Sequence, residues 1–301
     1  MSSQLFPAVF FGCWNQPGYG NNSSPPPRNI VAESVHAMKD IQVILLGGDN
    51  VYPRPLRTGK KNKLHEADVF MEGIQLYTST AKQIIPAFGN HNESLLDVQK
   101  DFFKLEKTYN TYEFVNNVHV IVLDTNIFLH DPDNSVYIDM LEWFRTTVTD
   151  LPPDHHYFVV QHEPYFTARK KGLGELVNAD PFLDILFIRP PIAILCADTH
   201  HYQHATIQRV SDPDIKIHQF IVGTGGANPD LHMDGFESAI MRDKYVFTQH
   251  EVVAGYGYLR IPDIDPLHFE FIRVLPWSPT HGGSRRRRGR QHQRKTRRKS
   301  C

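Results

Sequence analysis

Short apolar runs alternate with amphipathic stretches along most of the chain. Ala8–Phe11, Val43–Leu46, Ile84–Phe88, Val118–Leu123, Tyr157–Val160 and Ile192–Leu195 have the length and continuous apolar character of buried strands. Helical spacing covers Ile30–Lys39, His65–Thr78 and Tyr137–Val148. In the second of these Val69, Ile74, Leu76 and Tyr77 are the spaced apolar positions; in the third they are Ile138, Leu141, Trp143, Phe144 and Val148. Residues 12–28 and 53–63 carry no apolar period and read as loops. Beyond residue 200 the helical pattern ceases. Thr206–Val210, Ile217–Val222, Val246–Val252 and Leu267–Val274 read as strands joined by Gly, Pro and Asp turns. The alternation predicts an α/β fold with helices on the faces of a sheet. The strand-rich last third predicts a second sheet packed on the first. No repeat of 20–50 residues is present.

Composition adds one division. The chain of 301 residues is 41% hydrophobic and 22% charged, enough for a large core without disulfide or metal staples. No apolar run reaches the roughly 18 residues of a membrane span, so no membrane association is expected. The first residues lack a basic segment and Pro7 interrupts their apolar part, so no secretion signal is read and an intracellular site, cytoplasmic or nuclear, is expected. Three cysteines do not make a disulfide framework; Cys196 reads as a small buried hydrophobe. The net charge of −1 conceals two opposite parts. Arg285, Arg286, Arg287, Arg288, Arg290, Arg294, Lys295, Arg297, Arg298 and Lys299 form a cationic tail without acids, which leaves the rest of the chain with 22 basic and 33 acidic side chains. One domain over residues 5–277 is expected, followed by a linker and disordered tail over 278–301. A tail of this charge would bind DNA or RNA by counterion release, or an acidic protein surface. It also fits the loose pattern of a nuclear localisation signal.

The candidate chemistry lies where the strands end. Five predicted strands run into Cys13, Asp49, Asn90, His162 and the pair Asp198/His200. Any one of these is most simply a turn residue. Five in order, at the ends where α/β sheets place their ligands, point to a metal centre. Oxygen and nitrogen donors of this kind suit Zn, Mn or Fe, and a bridging carboxylate such as Asp49 can hold two ions for an in-line phosphoryl displacement.

The segments Gly47-Gly48-Asp49-Asn50-Val51-Tyr52, Gly89-Asn90-His91, Gln161-His162-Glu163-Pro164 and Asp198-Thr199-His200, with weaker echoes at Leu123-Asp124-Thr125 and Gly223-Thr224-Gly225-Gly226, carry a resemblance. In order and spacing they resemble the calcineurin-like metallophosphoesterase superfamily, most of all its purple acid phosphatase branch. The resemblance implies a β-sandwich of two mixed sheets flanked by helices. It implies two divalent or trivalent metal ions and hydrolysis of a phosphate ester by metal-activated hydroxide. By position, Asp49 would bridge the metals, Asn90 and His162 would bind one and His200 the other. Tyr52 would match the tyrosinate ligand of the purple branch, and His91 would contact phosphate and protonate the leaving oxygen.

The chain departs from that pattern at three places. Cys13 stands where the first motif supplies an Asp, and Asp198 where the last supplies a His. Both residues can coordinate metal, so both are candidate ligands. Asn92 stands where an acid commonly follows the Gly-Asn-His triplet. Two function classes fit: a phosphoesterase with an altered metal set, and a phosphoesterase fold that has lost turnover and serves as a binding or structural protein tethered to nucleic acid by its tail. Retention of coordinating groups favours the enzyme. Simpler readings hold for other polar residues. His201 and His204 belong to the site margin or a strand face, His155 and His156 to a solvated loop. Asp124 is either a turn residue or a support to the site. Trp14 and Tyr19 are either buried or lining the opening.

Overall fold

A computed structural model of the chain describes residues 3–16, 25–52, 63–129, 131–230 and 235–276. Among these, fifteen strands and five α-helices follow in the order β1 (Ala8–Phe11), α1 (Pro27–Ala37), β2 (Val43–Gly47), α2 (Lys63–Gln75), β3 (Gln83–Ala87), α3 (Leu96–Phe103), β4 (Asn110–Phe114), β5 (Val118–Val122), α4 (Ser135–Thr149), β6 (His156–Val160), β7 (Phe166–Arg169), β8 (Gly172–Glu175), α5 (Asp180–Ile188), β9 (Ala193–Cys196), β10 (Tyr202–Arg209), β11 (Asp212–Val222), β12 (Ser238–Met241), β13 (Tyr245–Val253), β14 (Gly255–Ile261) and β15 (Glu270–Pro276). Short 3₁₀ turns fill some of the connections.

Two mixed sheets carry most of these strands. The first has the order β15-β14-β1-β2-β3, with β1, β2 and β3 parallel and the last two strands of the chain antiparallel beside them. The second has the order β12-β13-β10-β11-β9-β6-β5-β4, parallel through β5, β6, β9 and β11 and antiparallel at both flanks. Their facing residues, among them Phe10, Leu45, Val120, Phe158, Leu195 and Phe220, share one buried cluster. Helices α1 and α2 add Val31, Val35, Phe70 and Ile74 to it. A second cluster joins the other face of the eight-stranded sheet (Ile121, Val159, Ile194, Ile207) to Phe144 of α4 and Phe182 and Leu186 of α5. The fold is thus the expected α/β sandwich of two mixed sheets flanked by helices.

Several expectations need correction. The C-terminal strands do not make a sheet of their own. β10–β13 extend the sheet that holds β5, β6 and β9, while β14 and β15 return to β1. The α4 stripe is Tyr137, Met140, Phe144 and Val148, buried at helical spacing and set by Asn134, whose side chain accepts from the Val136 N–H at 2.9 Å. Ile138 is exposed instead. Helix α5 escaped notice because it is apolar nearly all round: Phe182, Leu183, Ile185, Leu186 and Phe187 are all buried, which erases the polar face that marks a helix in sequence. Helix α1 begins inside the expected loop, at Pro27, where a proline suits a first helical turn. Cys196 is a buried hydrophobe as read. No helix among the described residues is long and apolar enough to cross a membrane. The linker, the cationic tail, Tyr19 and most of the 53–63 loop lie outside the described residues.

Candidate metal centre

Parallel strands of the two sheets deliver their C-terminal ends to one place. Gly12 donates to the Val222 carbonyl at 2.8 Å and Cys13 to that of Gly48 at 3.0 Å; Ala197 donates to that of His162 at 2.8 Å. These bonds tie the ends of β1, β2, β6, β9 and β11 together. Three residues there, Cys13, Asp49 and Asp198, hold left-handed backbone with φ of 50°, 52° and 56°. Such φ values are uncommon outside glycine and concentrate at functional turns.

Asp49 is the centre of the arrangement and is buried. Its Oδ2 accepts from the Tyr52 hydroxyl at 2.8 Å, and the same hydroxyl lies 3.1 Å from His200 Nε2. Cys13, Asp49 and His200 each offer a ligand atom within 4.8 Å of the others. The other oxygen, Oδ1, accepts from the His91 backbone N–H at 3.0 Å and lies 3.4 Å from His162 Nε2. His162 Nε2 lies in turn 3.9 Å from Asp198 Oδ1. One carboxylate therefore faces two sets of donors, one on each oxygen.

Both imidazoles are oriented from behind. His162 Nδ1 is 2.7 Å from the Gly47 carbonyl and His200 Nδ1 is 2.8 Å from that of Asn228. A carbonyl only accepts, so each Nδ1 carries a proton and each ring turns its Nε2 to the centre, the device by which proteins aim metal-binding histidines. His162 Nε2 is buried and makes no hydrogen bond. Tyr52 has one proton for two acceptors. These features fit metal ions held by the donors present.

The protonation tendencies agree. Burial opposes a charged His162, but Asp49 and Asp198 outweigh it and hold its pKa above the ordinary value. Burial and then Asp49 push the Cys13 thiol well up; burial, Cys13 and Asp49 do the same for Tyr52. Burial and Asp198 raise Glu163 to about 7. The acids that hold a proton on His162 would attract a metal cation for the same electrostatic reason, with metal displacing proton.

Of the residues expected at the centre, Cys13, Asp49, Tyr52, His162, Asp198 and His200 are brought together. Asn90 and His91 are exposed on the loop after β3. The His91 ring lies against Tyr52 at 4.8 Å between centroids. Among the described residues no hydrogen bond links the Asn90 side chain to the others. Asn92 turns inward, accepting from the Gly89 N–H at 2.6 Å and donating to Gln99 at 2.9 Å, so it shapes the loop backbone and does not orient the His91 ring. Asp124 is buried, accepts twice from Asn126 and lies near enough to His162 to interact with its charge, so it is a turn residue that also borders the site. Trp14 is buried, donating to Asn50 at 2.9 Å. His201 is buried, His204 pairs with His218 at 2.9 Å, and His155 is no free loop residue but pairs with His119 at 2.7 Å.

Sequence reasoning missed the supports. Asn15 donates to the carbonyls of Asn50 and Val69, both at 3.0 Å, and is held by buried Arg28 at 2.6 Å. Asn50 reaches Ala87 and Gln99 at 2.9 and 3.1 Å, so the ends of β2 and β3 hang on one buried amide network. Asp230 accepts from the His200 N–H at 3.2 Å. Nothing in the spacing of these residues marks them out, because each acts across a long separation. Arg169, 3.6 Å from Asp198, was also unforeseen.

No protein-family model and no curated protein matches the chain. Among solved structures it is similar to purple acid phosphatase PPD1 from yellow lupin (Lupinus luteus) seeds, with a TM-score of 0.65 and 14% identity over 90% of this chain and 52% of that one. The chain thus spans about half the length of the lupin protein. It is also similar to GAP50, the anchor in the inner membrane complex of Plasmodium, with a TM-score of 0.57 and 10% identity over 91% of this chain and 90% of that one. At these identities the likeness concerns architecture, and the architecture of this chain is a metallophosphoesterase-like fold.

Proposed function

We propose that the chain is a metal-dependent phosphoric ester hydrolase with a dinuclear site. The observation that carries the reading is Asp49, whose two oxygens face two separate donor sets. Asp49 would bridge; Cys13, Tyr52 and His200 would hold one ion, and His162 and Asp198 the other, with Asn90 on the exposed loop beside them. When bound, the ions would supply the positive charge that polarises a phosphoryl group and acidifies a water. The chain's own part is to hold those donors rigid, through the Gly47 and Asn228 carbonyls behind the imidazoles and the amide network behind Asn50. His91, exposed beside Tyr52, would exchange a proton with the leaving oxygen. A sulfur donor at Cys13 favours Zn or Fe over Mn.

The likeness to a protein described as an anchor, over nearly its full length, supports a second reading. In it the same fold, with Cys13 and Asp198 substituted, serves as a binding or structural protein. On either reading the cationic tail of residues 285–299 would attach the acidic body to a nucleic-acid backbone or an acidic surface. Elemental mass spectrometry of the full chain after reconstitution separates the two. Near two metals per chain, falling sharply in Asp49→Asn together with phosphatase activity, is expected of the enzyme. Absence of tight metal with Zn, Fe or Mn alike leaves the structural reading.

A further inference from the structure

The hairpin of β7 and β8 stands beside the metal centre and is mounted there by two buried glutamines. Gln219 on β11 accepts from the Tyr165 N–H at 2.9 Å and donates to the Phe166 carbonyl at 2.7 Å. Gln203 on β10 spans the N–H and carbonyl of Ala168, both at 3.4 Å, and is itself fixed by Gln249 at 2.5 Å. The side chains thus act as a substitute strand. They satisfy the backbone of β7 where no neighbouring strand does, and they hold it over the sheet. β7 ends on Arg169, and Lys170-Lys171 make the turn to Gly172. Across the hairpin Gly174 leaves room for the arginine: a Cβ there would lie 3.1 Å from its terminal nitrogen.

Arg169 projects back to the centre. Its guanidinium lies 3.6 Å from Asp198 Oδ2, too far for a good hydrogen bond, and its side chain is 40% exposed. It is a cation on a fixed backbone, paired with Asp198 but with most of its five donors uncommitted. The centre itself is lined by Asp49 and Asp198, with Glu163 near enough to interact with both. Ions bound there would have much of their charge neutralised by those ligands. Positive charge to meet a substrate beyond the reacting phosphoryl group comes instead from the hairpin.

We propose that Arg169, carried on this hairpin, recognises an anionic group on the leaving part of the substrate, so that the preferred phosphate esters bear a second negative charge a few atoms from phosphorus. The proposal rests on the phosphoesterase reading. It makes Arg169 a specificity residue, with the Lys170-Lys171 turn adding attraction at longer range.

Phosphoglycolate and ethyl phosphate test it, being nearly the same size and differing by one carboxylate. Binding of each to the zinc-loaded full chain is measured by calorimetry, with zinc content determined on the same samples. A charge-assisted contact predicts phosphoglycolate about tenfold tighter in the wild type, about 1.4 kcal/mol. The preference should fall to about twofold in Arg169→Gln and take an intermediate value in Arg169→Lys, since a lysine keeps charge without the fork. Zinc bound in both proteins with the same preference in wild type and Arg169→Gln would overturn the proposal and leave the phosphoesterase reading standing. A chain that takes up none of zinc, iron and manganese overturns that reading, and this proposal with it.

Discussion

Gly89→Ala is the sharpest test of the centre, because it adds one methyl group and deletes no donor. Gly89 does not require a positive φ, so alanine can adopt its backbone. The difficulty is space. A Cβ at this position would lie 2.4 Å from Asp49 Oδ1, 2.7 Å from the Asp49 nitrogen and 2.7 Å from His162 Cδ2. An ordinary nonbonded contact is about 3.5 Å, so the carboxylate must retreat by about 1 Å. That retreat breaks the 3.0 Å bond from His91 N–H and the alignment of Oδ1 with His162. Overpacking of this kind costs roughly 1–3 kcal/mol, a fall in Tm of a few degrees per kcal/mol for a domain of this size. Metal ligands tolerate only about 0.2 Å, so bound metal should fall below about half while the protein still melts cooperatively. Gly235→Ala is the control: its φ of +69° strains an alanine, but nothing lies within 4 Å. It should cost about 1–2 kcal/mol and keep its metal. Wild-type metal content in Gly89→Ala, or equal losses in the two variants, would refute the geometry drawn around Asp49.

Two further outcomes are expected. Cobalt(II) bound to the wild type should show a near-ultraviolet thiolate charge-transfer band that Cys13→Ser lacks while remaining folded; a band of equal intensity in both would remove Cys13 from the ligand set. The cluster of His204, His218 and His250 should make the fold acid-sensitive. Burial and then its two histidine neighbours push His204 down to about 3, and burial is the main cause of the depression at His218 and His250 as well. The folded state therefore resists protons that the unfolded chain accepts near 6.5. Stability is complete above about pH 6.5 and drains as pH falls toward the folded values, at up to about 1.4 kcal/mol per pH unit for each histidine. With partial exposure discounted, His204 should account for about 1 kcal/mol by pH 5. Tm measured from pH 7.5 to 5 should fall less steeply in His204→Gln, and parallel curves would show that the cluster is not responsible.

The sequence pattern revealed the parallel core because strands such as β2, Val-Ile-Leu-Leu-Gly, are buried along their whole length and read as uninterrupted apolar runs. It hid β4, whose Asn-Thr-Tyr-Glu-Phe at the sheet edge alternates between half-buried and exposed positions. It also hid β14, whose Gly-Tyr-Gly-Tyr start resembles a turn although every residue of that start is buried. Sheet membership of the last strands was illegible for a different reason. Pairing of β14 with β1 spans about the whole chain, and no local period encodes a partner.

The candidate site was more legible than the sheets that build it, since chemical type survives in the one-letter code while direction does not. Asp49, His162 and His200 are identifiable as donors in the sequence. That His162 and His200 both present Nε2, and that Asp49 divides its oxygens between two donor sets, depends on the carbonyls of Gly47 and Asn228 and on left-handed turns at the strand ends. Those turns bear on the choice between enzyme and scaffold. Three non-glycine residues at φ near 50° oppose folding by about 1 kcal/mol or more each. Burial of His162 Nε2 without a hydrogen bond and of the Asp49 charge adds to that, offset only in part by the two hydrogen bonds that Asp49 accepts. A fold serving only as a platform gains nothing from such terms, and glycine or apolar side chains at these positions would relieve them. Cations seated between Asp49 and its neighbours would give His162 Nε2 a ligand's role and neutralise the carboxylate, and they would give a purpose to the three turns that carry Cys13, Asp49 and Asp198.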